Sequence, residues 1–118
     1  MDPHSFKSKS FKQIKYVFNQ ILDAVEAIHN EKLIHLDLKP NNIMFHNDTV
    51  KLVDFSLIEK ISGNYTRQHK YHGTPEYSSP EHIDERELSY YTDIWSLGVI
   101  LYELVFGKEP FYSDRVVK

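Results

Sequence analysis

A polar segment at residues 35–42, with the sequence HLDLKPNN, constrains this chain more than any other feature. It places a carboxylate (Asp37), an ammonium group (Lys39) and a carboxamide (Asn42) on one short stretch between two apolar runs. A carboxylate can orient a hydroxyl nucleophile and accept its proton. An ammonium group can neutralise a phosphoryl group in transfer, and an amide oxygen is a hard ligand suited to Mg²⁺. The segment therefore predicts chemistry on phosphate.

The residues around this segment predict a helix before it and a hairpin after it. Apolar residues recur at spacings of three and four between Phe11 and Ile28, which is typical of one face of a helix that begins after Ser10 and ends near Asn30. The runs 43–45 and 50–53 flank the polar turn HNDT, a hairpin pattern. The hairpin ends at Asp54, so it brings a second carboxylate close to the first, as a nucleotide-phosphate site needs.

The rest of the chain predicts an irregular region and one further helix. Residues 56–84 lack periodicity and contain several glycine and proline breakers. A helix is expected from Thr92 or Asp93 to Phe106, with Gly107 ending it. Its apolar residues occupy nearly the whole circumference, so we expect it to be buried centrally. The predicted fold class is α+β and mainly helical.

Composition excludes several classes of function. The net charge of −3 lacks the basic excess of a nucleic-acid binder, and the chain has no cysteine for disulfides or thiolate sites. The most apolar stretch, residues 95–106, is too short to cross a bilayer, and the first ten residues do not resemble a signal peptide. We therefore expect no nucleic-acid or membrane partner, and a cytoplasmic or nuclear location.

Four motifs in order resemble those of the eukaryotic Ser/Thr protein kinases. HLDLKPNN resembles the catalytic loop, with Leu36 where arginine is usual, and DFS at 54–56 resembles the magnesium-binding triplet, with Ser56 where glycine is usual. GTPEYSSPE at 73–81 resembles the end of the activation segment, and DIWSLG at 93–98 resembles the start of the central helix of the large lobe. The resemblance implies a partial large lobe built from the long helix, catalytic loop, hairpin, activation segment and central buried helix. Residues 11–118 would form this partial catalytic domain after a polar tail at 1–10.

The resemblance also implies roles for individual residues in catalysis. Asp37 would be the catalytic base, Lys39 would touch the γ-phosphate of ATP, and Thr74 would brace both side chains. Asp93 would tie the catalytic loop to the central helix. Lys39 and the Gly73-Thr74 pair favour serine and threonine substrates over tyrosine.

ATP and Mg²⁺ are the cofactors that the resemblance implies. Asn42 and Asp54 would bind the metal, and both would thereby hold the nucleotide together with Lys39. Met44 would lie beneath the adenine ring. Leu36 leaves no arginine to read phosphorylation of the activation segment, so we expect no control by that route. Ser56 is expected to restrain its loop without removing the metal ligand.

Parts of a kinase are missing from the sequence. None of the four glycines can form the loop that covers the ATP phosphates, and no lysine-bearing strand like that of kinases precedes the first helix. We expect the small lobe to be absent, so that the chain is a truncated large lobe that binds ATP only if a small lobe is supplied. Glu81 has no visible arginine partner. The uncovered central helix predicts self-association.

Two functions therefore remain open from the sequence. In the first, the chain is part of an enzyme that transfers the ATP γ-phosphate to protein serine or threonine. In the second, it is a catalytically inactive mimic of a kinase lobe that binds a cellular kinase and inhibits or scaffolds it. Retention of both carboxylates, the lysine and the carboxamide favours the enzyme, and the missing lobe favours the mimic.

Overall fold

The computed structural model describes residues 10–68 and 70–111. The predicted polar tail lies outside this part of the chain, except for Ser10. The described residues form helices and two separate two-stranded antiparallel sheets. In order the elements are α1 (Phe11–Asn30), β1 (Leu33–Ile34), a 3-10 turn (Pro40–Asn42), β2 (Ile43–His46), β3 (Thr49–Leu52), β4 (Glu59–Lys60), a 3-10 turn (Pro75–Tyr77), α2 (Pro80–Ile83) and α3 (Tyr90–Phe106).

Helix α1 begins and ends where the sequence predicts. Ser10 and Gln13 form a capping box, in which the Gln13 N–H donates to Ser10 Oγ at 3.2 Å and the Ser10 N–H donates to Gln13 Oε1 at 2.9 Å. A cap of this kind stabilises a helix by about 1 kcal/mol. The buried face carries Val17, Ile21 and Val25. The predicted N-cap and apolar stripe are confirmed.

The predicted hairpin is formed by β2 and β3, which are joined by a two-residue turn. Asn47 and Asp48 have φ values of 50° and 64°, as a turn that matches the twist of a hairpin requires, and these residue types tolerate positive φ. The turn also contacts α1, because Tyr16 Oη and Gln20 Nε2 each donate to the Asp48 carbonyl at 3.1 Å. The hairpin is therefore held against α1 at its turn.

Strand β4 divides the region that the sequence predicts as irregular. Ile34 pairs with Glu59 and Leu33 with Lys60, and the Ile61 N–H donates to the Lys32 carbonyl at 2.8 Å. A two-residue strand of charged residues has no local signal, so only its pairing with β1 defines it. The irregular prediction is wrong here, and also at α2 and the second 3-10 turn.

Helix α3 begins earlier than predicted. Its N-cap is Ser89, whose Oγ accepts from the Tyr91 N–H at 3.2 Å, while Thr92 Oγ1 accepts from the Ser89 N–H at 3.0 Å. Thr92 thus completes a capping box from the third helical position, so the expected start at Thr92 or Asp93 lies too late in the sequence. Gly107 does end the helix, with a φ of 78°.

The prediction that α3 is buried all round is wrong within the described residues. Leu97 and Ile100 are buried, but Tyr91 is 78% exposed and Phe106 is 62% exposed. The helix packs on α1, β1 and the second 3-10 turn. We call its exposed apolar side chains the outer face of α3, which comprises Tyr91, Ile94, Trp95, Leu101, Tyr102, Val105 and Phe106. No helix in the described ranges is long and apolar enough to cross a membrane.

Two apolar clusters stabilise the described chain. The main core joins α1, the hairpin and α3, and includes Ile21, Ile43 and Ile100. The second core is smaller and joins β1, the polar segment 35–42 and the region after β4. Its buried members are Ile34, Leu36, Ile61 and Leu88.

Candidate active site

Three side chains predicted to act in catalysis lie together. Thr74 Oγ1 donates to Asp37 Oδ1 at 2.8 Å and accepts from Lys39 Nζ at 2.8 Å. Lys39 Nζ lies 3.9 Å from Asp37 Oδ2. One hydroxyl thus holds the carboxylate and the ammonium group in a fixed relation, although Thr74 lies in a different part of the sequence. We call this group the Asp37–Lys39–Thr74 cluster.

Asn42 adds a fourth polar group to the cluster. Its Nδ2 donates to the Asp37 carbonyl at 2.7 Å and lies 3.4 Å from Asp37 Oδ2. The 3-10 turn that begins at Pro40 folds the chain back to make this contact. Because the amide nitrogen is directed at Asp37, the amide oxygen is the atom left to act as a ligand.

Asp54 is brought towards Asn42 by an extension of the hairpin. The Val53 N–H donates to the Asn42 carbonyl at 2.9 Å. His35 contacts both neighbours of Asp54, through a hydrogen bond of 3.3 Å between Nε2 and the Val53 carbonyl and a ring contact of 5.4 Å with Phe55. The buried His35 thus contacts the Val53 backbone on one side of Asp54 and the Phe55 ring on the other.

The Asp54 carboxyl group is exposed and ionised at neutral pH. Ser56 donates its hydroxyl to Asp54 Oδ1 at 2.6 Å and its N–H to the same oxygen at 3.3 Å. These two hydrogen bonds, with smaller contributions from the charges of His35 and Lys39, lower the pKa of Asp54 below its usual value. Asp54 also has a φ of 59°, a left-handed conformation uncommon for residues with a side chain.

Asp93 ties the loop of Asp37 to α3. Its fully buried carboxylate accepts from the His35 N–H at 2.8 Å and from the Leu36 N–H at 3.0 Å. His29 Nε2 lies 2.8 Å from the same carboxylate. The sequence predicted the tie from Asp93 but missed His29, whose only signal is its place in the last turn of α1.

Comparison with known proteins identifies the family of the chain. Residues 4–118 match the family model described as the protein kinase domain. The chain belongs to the protein kinase family. The family resemblance predicted from the four motifs is confirmed, and the described chain is part of a kinase domain built from helices and small sheets.

The relatives of this kinase chain are Ser/Thr kinases. It is 45% identical over 105 residues to smooth muscle myosin light chain kinase of Gallus gallus, covering 86% of this chain and 5% of that protein. It is 39% identical over 106 residues to serine/threonine-protein kinase TIO of Arabidopsis thaliana, covering 89% and 8%. With serine/threonine-protein kinase 17A of Oryctolagus cuniculus it shares 37% identity over 108 residues, covering 88% and 27%. The chain thus spans less than a third of each relative.

The donor set of this kinase chain fits Mg²⁺. One carboxylate and one amide oxygen are the hard ligands that Mg²⁺ takes from proteins, the rest of its shell being water and phosphate oxygens. Asp54 and Asn42 supply these two types. The described ranges contain no group of three or more His, Cys, Asp or Glu side chains that could hold a metal.

Met44 lies on β2 opposite Lys51, with 45% of its surface exposed. It is separate from the hydrogen-bonded cluster of Asp37, Lys39 and Thr74. Its exposed thioether side chain offers an apolar surface that a flat ring could cover.

Leu36 has a structural role that the sequence did not reveal. It is only 3% exposed and packs in the second core against Ile34, Ile61 and Leu88. Its φ of 70° is in the left-handed region, which a non-glycine residue adopts at a cost of about 1–3 kcal/mol. An apolar contact therefore joins the loop of Asp37 to the segment after β4 at the position where arginine is usual in the family.

The segment that carries Thr74 is closely packed around Gly73. A Cβ atom at Gly73 would lie 2.9 Å from both His82 Cε1 and Ser78 Oγ. Ser78 Oγ donates to the Thr74 carbonyl at 3.0 Å and lies 2.8 Å from Tyr71 Oη. Burial of His82 lowers the pKa of its imidazole below the usual value. Gly73 is thus required by close approach.

Helix α3 forms hydrogen bonds to the residues that follow Thr74 in the sequence. Ser96 Oγ donates to the Tyr77 carbonyl at 2.6 Å, and Tyr77 Oη donates to Glu103 Oε1 at 2.5 Å. Burial raises the pKa of both Tyr77 and Glu103. Thr92 Oγ1 donates to Glu81 Oε2 at 3.1 Å, so Glu81 has a partner that the sequence did not reveal. The partner is a hydroxyl of α3 rather than an arginine.

Proposed function

We propose that this chain carries the phosphotransfer site of a Ser/Thr protein kinase, which moves the γ-phosphoryl group of ATP to a protein hydroxyl. The observation that carries the proposal is the Thr74 hydroxyl, which bridges Asp37 Oδ1 and Lys39 Nζ at 2.8 Å each. A base and a phosphate-binding cation held in one cluster are what phosphoryl transfer needs. The names of the relatives support the substrate class.

Asp37 acts as the base in this proposal. Its carboxylate orients the substrate hydroxyl and accepts its proton as the O–H bond breaks. The hydroxyl oxygen forms a bond to the γ-phosphorus while the bond from that phosphorus to the ADP oxygen breaks. Thr74 and Asn42 contact Asp37 and so keep its carboxylate in place before the substrate binds.

Lys39 and the two metal ligands stabilise charge in this proposal. Lys39 Nζ neutralises an oxygen of the γ-phosphate, and Asn42 and Asp54 hold Mg²⁺. When bound, the metal neutralises phosphate oxygens. The exposed side chain of Met44 would contact the adenine ring.

The described elements correspond in this proposal to part of the kinase large lobe, from its long helix to its central helix. None of the four glycines of the sequence lies in a Gly-x-Gly pattern. ATP is therefore covered by a small lobe that another polypeptide or segment supplies. The chain alone is expected to give no transfer, because Asp37 cannot act on a nucleotide that is not held.

A chimaeric enzyme tests the catalytic proposal. The 105 matched residues of the Gallus gallus kinase would be replaced by those of this chain, and transfer from γ-labelled ATP to a protein would be measured. We expect activity in the chimaera and a loss of at least about 100-fold in Asp37→Asn and Asp54→Asn. Asp48→Asn, an acid-to-amide change in the hairpin turn, serves as the matched control. Undiminished transfer in Asp37→Asn would refute the role of the base.

A second function is favoured by the outer face of α3, where Val105 and Phe106 are 53% and 62% exposed. Exposed apolar patches mark interfaces. In this alternative the chain binds a cellular kinase and inhibits or scaffolds it, or associates with itself. Sedimentation of the chain should show association that Val105→Lys abolishes. A monomer that binds no kinase would eliminate this alternative.

A further inference from the structure

The two hydrogen bonds from Ser56 to Asp54 end on one carboxylate oxygen. The Ser56 hydroxyl donates to Oδ1 at 2.6 Å and the Ser56 N–H donates to the same atom at 3.3 Å. A distance of 2.6 Å is in the range of strong hydrogen bonds between a hydroxyl and a charged carboxylate. Oδ2 accepts no hydrogen bond from the described residues. One oxygen is therefore fixed and the other is open.

Asp54 receives no other side-chain support in the described part of the chain. His35 contacts the Val53 carbonyl and the Phe55 ring beside it, and neither contact involves the Asp54 side chain. The Asp54 side chain lies at the surface, where solvent leaves it free to change rotamer. A glycine in place of Ser56 would offer only the N–H at 3.3 Å. The hydroxyl of Ser56 is thus the closest contact that sets the direction of the carboxylate.

We propose that Ser56 is a positioning residue, whose hydroxyl fixes Oδ1 of Asp54 and directs Oδ2 towards a divalent cation. The inference rests on the proposed function, in which Asp54 is a metal ligand. Hydrogen bonds to a ligating carboxylate orient it, and loss of such a partner weakens metal binding by about 10–100-fold. Because this site is open to solvent, we expect the lower end, about tenfold.

The proposal concerns the hydroxyl rather than the size of the side chain. Ser56→Ala removes the short hydrogen bond and retains the backbone N–H. Ser56→Thr retains the hydroxyl. A merely structural effect of residue 56 would not separate these two variants by metal affinity at equal stability. The pair therefore isolates the positioning role.

Mn²⁺ binding to the whole 118-residue chain provides the test. Mn²⁺ takes oxygen ligands as Mg²⁺ does and broadens the NMR signals of nearby amides. We expect Mn²⁺ to broaden the amide signals of Asp54 and Asn42, and excess Mg²⁺ to restore them. The Mn²⁺ affinity of Ser56→Ala should be about tenfold weaker than that of the original chain. The affinity of Ser56→Thr should be within about twofold of the original. Ser62→Ala, at an exposed serine nearby, should bind as the original chain does.

Asp54→Asn separates the two possible failures. If Asp54→Asn binds Mn²⁺ as tightly as the original chain, Asp54 is not a ligand and the proposed metal site fails. If Asp54→Asn loses binding while Ser56→Ala retains it, the metal site stands and the positioning role of Ser56 is wrong. Unfolding in urea, measured for each variant, ensures that folded chains are compared.

Discussion

The two carboxylates proposed to act on phosphate are held in opposite ways. Asp37 accepts a hydrogen bond from Thr74, which lies far along the sequence in the segment after β4. The loop of Asp37 is also tied to α3 through Asp93. Asp54 is exposed, and its hydrogen bonds come from Ser56, two residues away. Asp37 is therefore positioned by tertiary contacts, whereas Asp54 is positioned by a residue of its own three-residue motif at 54–56.

This difference separates two requirements of one site. The base must point at a substrate atom, so its geometry depends on elements that are distant in sequence. A metal ligand tolerates more movement, because water and phosphate complete the shell of Mg²⁺. Damage to the fold should therefore disturb Asp37 well before it disturbs Asp54.

The largest expected effect is that of Asp93→Ala. The change leaves the His35 and Leu36 N–H groups buried without a partner, so we expect a loss of about 4 kcal/mol in unfolding free energy. Hydrogen exchange at the Leu36 amide should accelerate by at least about 100-fold. Asp84→Ala, at an exposed acid whose ion pair with Arg86 spans 3.7 Å, should cost less than about 0.5 kcal/mol. If the two variants had equal unfolding free energies, the tie from Asp93 to the loop of Asp37 would not stabilise the fold.

Leu36→Arg should have the next largest effect. A buried leucine contributes about 1.5–3 kcal/mol, and a guanidinium in the second core would also be desolvated. We expect a loss of about 3 kcal/mol in urea unfolding. Leu36→Met, which keeps the volume, should cost less than about 1.5 kcal/mol. An arginine variant as stable as the original would show that the second core does not hold this loop.

Thr74→Val tests the tertiary contact of Asp37 within the Asp37–Lys39–Thr74 cluster. Loss of the hydroxyl removes hydrogen bonds to Asp37 and Lys39, worth about 1 kcal/mol in total for a half-buried site. A double-mutant cycle with Asp37→Asn should give a coupling of about 1 kcal/mol. A cycle between Ser56→Ala and Asp37→Asn should give no coupling. Thr49→Val, on an exposed strand position, is the control.

The smallest expected effect is a dependence of stability on pH at His82. Burial lowers the pKa of His82 in the folded chain, so the unfolded chain takes up a proton first as pH falls. Its contribution to stability is complete above about pH 6.5 and is lost as pH falls towards the folded pKa. His82→Gln should flatten the change in urea stability between pH 7.5 and 5.5. His46→Gln, on the exposed end of the hairpin, should leave the slope unchanged, and a flat slope in the original chain would contradict the prediction.

Much of the fold is encoded locally and could be predicted. The stripe and cap of α1 and the polar turn of the hairpin depend on neighbours within a few residues. Strand β4 could not be predicted, because Glu59 and Lys60 become a strand only by pairing with β1. Which side of α3 is exposed could not be predicted either, since apolar residues all round a helix do not reveal which of them will be covered.

The candidate site likewise has parts that the sequence predicts and parts that depend on distant partners. The motifs singled out Asp37, Lys39 and Thr74, and the structure brings their side chains together. His29 and the packing of Leu36 were missed, because neither shows its partner in the sequence. The short hydrogen bond from Ser56 was likewise invisible, since the motif shows only that a glycine is replaced.

The apolar contact of Leu36 has a consequence for how the chain responds to salt. An ion pair at this position would weaken as ionic strength rises, because the screening length falls to about 8 Å at 0.15 M. Packing among Leu36, Ile61 and Leu88 carries no charge to screen, and strongly hydrated salts such as sulfate reinforce apolar burial. The segment after β4 should therefore remain attached to the loop of Asp37 in concentrated salt.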